Sequence, residues 1–336
     1  MQPNSPRKLG LALLIGCALA STWCGGSPTA PSASTQAPTI ESTSGTANDV
    51  PNGGGDPTEQ PTAPPPSIPA PPPAGGGGSA WLNAIADTGW CGSQAMPQVA
   101  RLLDSLSGDV LLVGDLAYMN GLLDEFRRCF DPDFGRLGAR ARPAPGNHDY
   151  GRPDADGYFT YFGDRAGPGR RGYYAFRAGS WQVLMLNSSV PINRHSEQYA
   201  WVQQRLQQEP ARCTLAAVHH PLDSSGTSGA NPWLRDMWGL LHDNGAEIVV
   251  SGHDHLYERF APQDATQRPD PARGVRLFIA GTGGAPLYPR SRSAINSEIV
   301  IQSHGALRLK LDPDSFEWMF LDVHGNALDR GMGTCH

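Results

Sequence analysis

Five segments of this chain run from an apolar or extended stretch, through a glycine or turn, into residues that can ligate a metal. Residues 82–86 lead to Asp87-Thr88-Gly89, residues 109–113 to Gly114-Asp115-Leu116-Ala117-Tyr118, and residues 142–145 to Gly146-Asn147-His148-Asp149. Residues 213–218 lead to His219-His220-Pro221, and residues 248–250 to Gly252-His253-Asp254-His255. Short apolar runs bounded by turn residues read as buried strands. Histidines spaced i, i+2 just beyond a strand point the same way, so His253 and His255 can reach one metal centre. Between these runs, residues 97–107, 122–129, 197–208 and 231–243 read as helices. Strands that alternate with helices imply an α/β core, whose ligands bind beyond the carboxyl ends of the strands. The five ligand-bearing turns are therefore expected to converge on one edge. Residues 181–186 and 275–280 add strands, and residues 305–311 and 316–323 read as an antiparallel hairpin around Asp312-Pro313-Asp314-Ser315.

Composition divides the 336 residues sharply. Residues 25–79 contain no Lys, Arg, Phe, Trp or Tyr and hold 13 of the 31 prolines. Such a stretch cannot bury enough apolar surface to offset its ordering entropy, so it reads as a disordered, partly polyproline-like tether with a reach of roughly 40 Å. Residues 80–336 suit one large domain. Residues 1–24 read as a processing segment, with Arg7 and Lys8 ahead of an apolar core over 9–19 that is too short to span a bilayer. Ala18-Leu19-Ala20 suits ordinary secretion, whereas Leu14-Ile15-Gly16-Cys17 resembles a lipobox, which would tether the chain to a membrane through a lipidated Cys17. On either reading the domain is expected to work outside the cytoplasm. An even set of four cysteines in that domain then suggests two disulfides with three possible connectivities. The favoured one is Cys91–Cys129 with Cys213–Cys335, and the lack of a CxxC pair argues against a four-cysteine zinc site. A net charge of −6, with only Lys8 and Lys310 as lysines, excludes phosphate-backbone binding as a main task, so no nucleic-acid partner is expected.

The ordered motifs DTG, GDLAY, GNHD, VHHP and GHDH resemble those of the calcineurin-like metallophosphoesterase superfamily. The tyrosine of GDLAY and the ending GHDHLYER are similar to its purple acid phosphatase branch. The resemblance runs from Trp81 to Asp322. It implies an α/β fold, a two-layer mixed β-sandwich flanked by helices, with a dinuclear metal site at one edge. By the same resemblance Asp115 bridges the two metals. Asp87, Tyr118 and His255 complete the first metal's ligands, and Asn147, His219 and His253 the second's. The first set is rich in anionic oxygen and suits Fe³⁺; the second suits a divalent Fe, Zn or Mn, and a Zn or Mn pair is the alternative. His148 is expected to protonate the leaving alkoxide and Asp149 to orient the His148 ring, while metal-bound hydroxide attacks phosphorus in line. His220 suits either phosphate contact or orientation of His219. Ala86 stands where relatives commonly have glycine, and residues 222–231 lack the additional histidines that some plant-type relatives use for substrate.

Three functions follow from these residues. The first is an exported phosphomonoesterase acting on small-molecule phosphate esters. The second is a phosphodiesterase or nucleotide hydrolase of the same fold. The third is a non-catalytic surface binding module, which predicts missing ligands where none is missing. Neither a G-x-S-x-G nor a GK[ST] loop occurs, which disfavours serine hydrolysis and P-loop chemistry.

Overall fold

The computed structural model describes residues 78–336. The processing segment with Cys17, and the tether as far as residue 77, lie outside the described residues. Among the described residues the strands are β1 Ala80–Ile85, β2 Asp109–Val113, β3 Ala141–Ala144, β4 Tyr174–Ala178, β5 Trp181–Leu186, β6 Thr214–Val218 and β7 Ala246–Ser251. They continue as β8 Tyr257–Phe260, β9 Arg276–Ala280, β10 Ser297–Ile301, β11 Gly305–Leu311, β12 Ser315–Asp322 and β13 Ala327–Thr334.

Two mixed sheets result. The first has the order β13-β12-β11-β1-β2-β3, with β1, β2 and β3 parallel and β11 to β13 antiparallel. The second has the order β10-β8-β9-β7-β6-β5-β4, with β5, β6, β7 and β9 parallel. Side chains alternate across a strand, and here both faces are buried, which is why the central strands read as unbroken apolar runs. Leu82, Ala84, Leu111 and Val113 face Val183, Leu215, Ile248 and Phe278 between the sheets. Ile85, Val110 and Leu112 point outward, into a cluster with Val99 and Leu103 of the helix Met96–Ser105. On the outer face of the second sheet Leu184, Ala216, Val249 and Leu277 pack with the helices Glu197–Gln208 and Arg235–Asp243. Each large apolar side chain buried this way contributes about 1.5–3 kcal/mol. The architecture is the two-layer sandwich flanked by helices.

The helix expected over 122–129 is more irregular than its spacing suggests. It starts as Leu123–Glu125, widens into a π-helical turn over Phe126–Phe130 and returns to α-helix at Asp131–Phe134. Phe126, Phe130 and Phe134 are all buried in the outer cluster, and Phe126 and Phe130 both meet Phe162 of the helix Asp156–Phe162 edge-on. Of the three possible cysteine connectivities the structure has Cys91–Cys129 and Cys213–Cys335. The first ties the turn after β1 to the π-helical turn. The second joins the residue before β6 to the residue after β13, so the end of the chain is fastened to the centre of the second sheet.

Candidate metal centre

The five ligand-bearing turns follow β1, β2 and β3 in one sheet and β6 and β7 in the other. Three of their non-glycine residues have left-handed backbone: Asp87 at φ 59°, Asp115 at φ 54° and His253 at φ 71°. For non-glycine residues such conformations cost on the order of 1–3 kcal/mol each and persist only when the surroundings over-determine them. Here they do. The Asp87 N–H donates to the Gly114 carbonyl at 3.0 Å and the Thr88 N–H to the Asp115 carbonyl at 2.9 Å. The His253 N–H donates to Asp87 Oδ2 at 2.9 Å, and the Gly252 N–H to the His219 carbonyl at 2.9 Å. Two glycines permit this closeness. A Cβ at Gly114 would stand 2.4 Å from His219 Nδ1, and one at Gly146 would stand 2.2 Å from Asp115 Oδ1.

Two groups of donor atoms meet at Asp115. On one side the Tyr118 hydroxyl lies 3.0 Å from Asp87 Oδ1, 3.0 Å from His255 Nε2 and 3.3 Å from Asp115 Oδ2. On the other side Asp115, His219 and His253 present ligand atoms all within 4.8 Å of one another. The imidazoles are aimed by their far nitrogens. His219 Nδ1 donates to the Val113 carbonyl at 2.9 Å and His255 Nδ1 to the Pro286 carbonyl at 2.8 Å, which orients the rings and turns each Nε2 toward the cluster. Tyr288 stacks on the His255 ring at 4.0 Å. Asn147, by contrast, is exposed at the tip of its turn.

The electrostatics show what the cluster lacks. Burial alone would raise the Asp115 carboxyl, but the nearby charge of His219, helped by His148, outweighs it and holds the group well below its usual range. Burial opposes charge on His219 as well, yet Asp115 beside it lifts that imidazole to about 9. Burial and the neighbouring His219 charge lower His253 to about 4 and His220 to about 2. Burial and the carboxylates of Asp87 and Asp115 push the Tyr118 phenol well above its ordinary value. Asp87 likewise raises His255 against its burial, but the proton on His219 answers Asp115 poorly. Its Nε2 lies 3.2 Å from Asp115 Oδ2 but off the line a hydrogen bond needs, so this buried atom is left without a hydrogen-bond partner. A buried nitrogen without a partner, facing a buried carboxylate, is what a cation would satisfy on displacing that proton. The residues present fit a metal.

One expectation needs correction. Asp149 does not hold the His148 ring. Its carboxylate is buried and turned the other way, accepting from the Leu116 N–H at 3.0 Å and the Gly146 N–H at 2.8 Å. Burial and the Asp115 charge raise it to about 7 despite those bonds. Backbone holds His148 instead: Nδ1 donates to the Met119 carbonyl at 2.8 Å, the N–H donates to Asp115 Oδ1 at 2.8 Å, and the ring packs on Tyr118 at 4.5 Å. His220 Nδ1 pairs with Ser188 Oγ at 2.8 Å, and its ring lies 4.2 Å from that of His253. Glu258 and Arg259 are structural, with different partners. Glu258 accepts from Ser225 and Ser297, and Arg259 pairs with Glu298 and Asp329. Sequence reasoning missed Ser188, Tyr288 and the carbonyls of Met119 and Pro286. Nothing in the motifs points to them, although Met119 directly follows GDLAY.

A family profile described as calcineurin-like phosphoesterase matches residues 82–257, which include all five turns. An uncharacterized protein of Mycobacterium tuberculosis is 28% identical over 277 residues, covering 61% of this chain and 52% of the relative. Purple acid phosphatase 18 of Arabidopsis thaliana is 28% identical over 194 residues, covering 52% of this chain and 43% of the relative. The chain therefore spans about half the length of the curated relatives it matches. Among solved structures, purple acid phosphatase PPD1 from yellow lupin seeds superposes with a TM-score of 0.65 at 18% identity, covering 78% of this chain and 55% of that one. GAP50, described as the anchor in the inner membrane complex of Plasmodium, superposes with a TM-score of 0.62 at 13% identity, covering 77% of this chain and 90% of that one. At such identities these two likenesses speak to the fold.

Proposed function

The chain belongs to the calcineurin-like phosphoesterase family, and from that premise we propose that it is an exported dinuclear-metal phosphatase that hydrolyses phosphomonoesters. The observation that carries this reading is the Asp115 carboxylate, whose Oδ2 has Tyr118 Oη at 3.3 Å and His219 Nε2 at 3.2 Å. A carboxylate between two donor groups is suited to bridging a pair of cations. Asp87, Tyr118 and His255 would join Asp115 around one ion; Asn147, His219 and His253 would join it around the other. The first group favours a hard ion such as Fe³⁺, the second a divalent Fe, Zn or Mn. When bound, such a pair supplies positive charge against the phosphate oxygens and lowers the pKa of an attacking water.

The chain's own side chains divide the remaining work. His148 is part-exposed, and the bond from Nδ1 to Met119 leaves Nε2 4.0 Å from Asp115 Oδ2, at the mouth of the cluster. As an imidazolium it can give the Nε2 proton to a leaving alkoxide. Asp149 serves as a positioning residue, since its two oxygens pin the loop that follows Asp115 to the loop that carries Asn147 and His148. The two disulfides suit an oxidising compartment and support export.

The test is to compare 4-nitrophenyl phosphate with bis(4-nitrophenyl) phosphate on the metal-loaded protein. A kcat/KM at least about tenfold higher for the monoester is expected, because a monoester offers three unesterified oxygens and a second negative charge to a metal pair, against two oxygens and one charge for the diester. The opposite ranking would assign a diesterase of the same fold.

A further inference from the structure

Five large apolar side chains are exposed among the described residues, and two of them border the cluster: Met119 at 51% and Trp233 at 44%. Trp233 is also held still. Its Nε1 donates to Asn231 Oδ1 at 3.3 Å. Asn231 in turn donates from Nδ2 to the Pro221 carbonyl at 2.9 Å and from its backbone N–H to the Leu222 carbonyl at 2.9 Å. The indole is thereby anchored to the His219-His220-Pro221 segment. It meets His220 edge-on at 5.3 Å, and the His220 ring is 4.2 Å from His253. Only one imidazole separates this fixed aromatic side chain from the candidate metal ligands.

Trp233 forms a wall of a surface depression of ≈ 340 Å³ whose other residues run from Ser188 to Asn193. Ser188 Oγ is bonded to His220 Nδ1 at 2.8 Å, so the depression begins beside the cluster. Val190 and Pro191 give it apolar surface beside the polar Ser188, Ser189 and Asn193, and no charged side chain lines it. That chemistry does not suit a phosphate, nor a leaving group carrying further phosphates, which would need cations. It suits an uncharged flat group that can lie against an indole and exclude water from it.

We propose that this depression is the leaving-group subsite and that Trp233 selects phosphomonoesters of planar aromatic alcohols. The proposal rests on the phosphomonoesterase reading above and names its substrate class. The experiment measures kcat/KM for 4-nitrophenyl phosphate and glycerol 2-phosphate on wild type, Trp233→Ala and Trp233→Phe. Trp233→Ala is expected to lower the value for the aryl ester about tenfold, through KM with kcat little changed, and to leave the glycerol ester unaffected. Trp233→Phe should restore most of the loss. An equal loss on both esters, or none on the aryl ester, overturns the proposal.

Binding separates this claim from the function itself. Phenylphosphonate and methylphosphonate, neither of which is hydrolysed, are titrated calorimetrically into metal-loaded wild type and Trp233→Ala. Tighter binding of the phenyl compound by wild type alone supports the subsite even if no ester is turned over, an outcome that would overturn only the phosphatase reading. No preference in wild type, or one that survives in Trp233→Ala, overturns the subsite.

Discussion

The two sheets bring different chemistry to the cluster. Turns after β1, β2 and β3 in the first sheet carry Asp87, Asp115, Tyr118 and Asn147, all oxygen donors. Turns after β6 and β7 in the second carry His219, His253 and His255, all nitrogen donors. Each half is aimed partly by the other: His219 is held by the Val113 carbonyl of the first sheet, while Asp87 Oδ2 is held by the His253 N–H of the second. Neither sheet alone contains a complete set of the proposed ligands. The oxygen half buries two carboxylates, and the nitrogen half buries the His219 Nε2 with no hydrogen-bond partner. A cation shared between the halves would answer both, so metal binding and packing of the two sheets should be one thermodynamic event.

The largest expected effects separate holding metal from using it. His219→Ala removes a nitrogen donor from the second sheet and should lose metal and activity together, with activity down at least about 10³-fold. His148→Ala leaves both halves intact and should keep its metal while losing about 10²–10⁴-fold in kcat. Elemental analysis beside steady-state rates checks both, and loss of metal from His148→Ala would break the distinction. A smaller effect tests the coupling of the sheets. Binding to the folded state alone stabilises it by about 2.7 kcal/mol at a free metal concentration of 100 Kd. Stripping by a chelator should then lower Tm by roughly 5–10 °C for a domain of this size. A melting curve unchanged by chelation would mean that the sheets pack independently of the cluster.

How much of this could be read from the sequence differs between the cluster and the frame around it. The ligand-bearing turns were legible because β1, β2, β6 and β7 are buried on both faces and end at tight turns, so apolar run and ligand sit next to each other. Other strands hide for physical reasons. β3 contains Arg142 and Pro143, and proline is tolerated there because β3 is an edge strand. β13 carries Gly331 and Gly333, which have no strand propensity. They are required because the Trp318 and Phe316 rings lie against that backbone: a Cβ at these glycines would stand 2.2 Å and 2.4 Å from ring carbons. The role expected of Asp149 failed because adjacency in sequence was read as contact, whereas a turn sends neighbouring side chains apart. The groups that orient the imidazoles could not have been found, since backbone carbonyls carry no residue signature. Trp233 was likewise hidden, because only the packed structure shows it standing beside His220.

The central claim is that Asp115 joins two metal sites, each built from both sheets. The most direct measurement is the metal content of the purified, metal-loaded chain, by elemental analysis, for wild type and Asp115→Asn. About two ions per wild-type chain and almost none in a folded Asp115→Asn chain are predicted. A wild type that binds a single ion, or an Asp115→Asn chain that keeps both, would contradict the account.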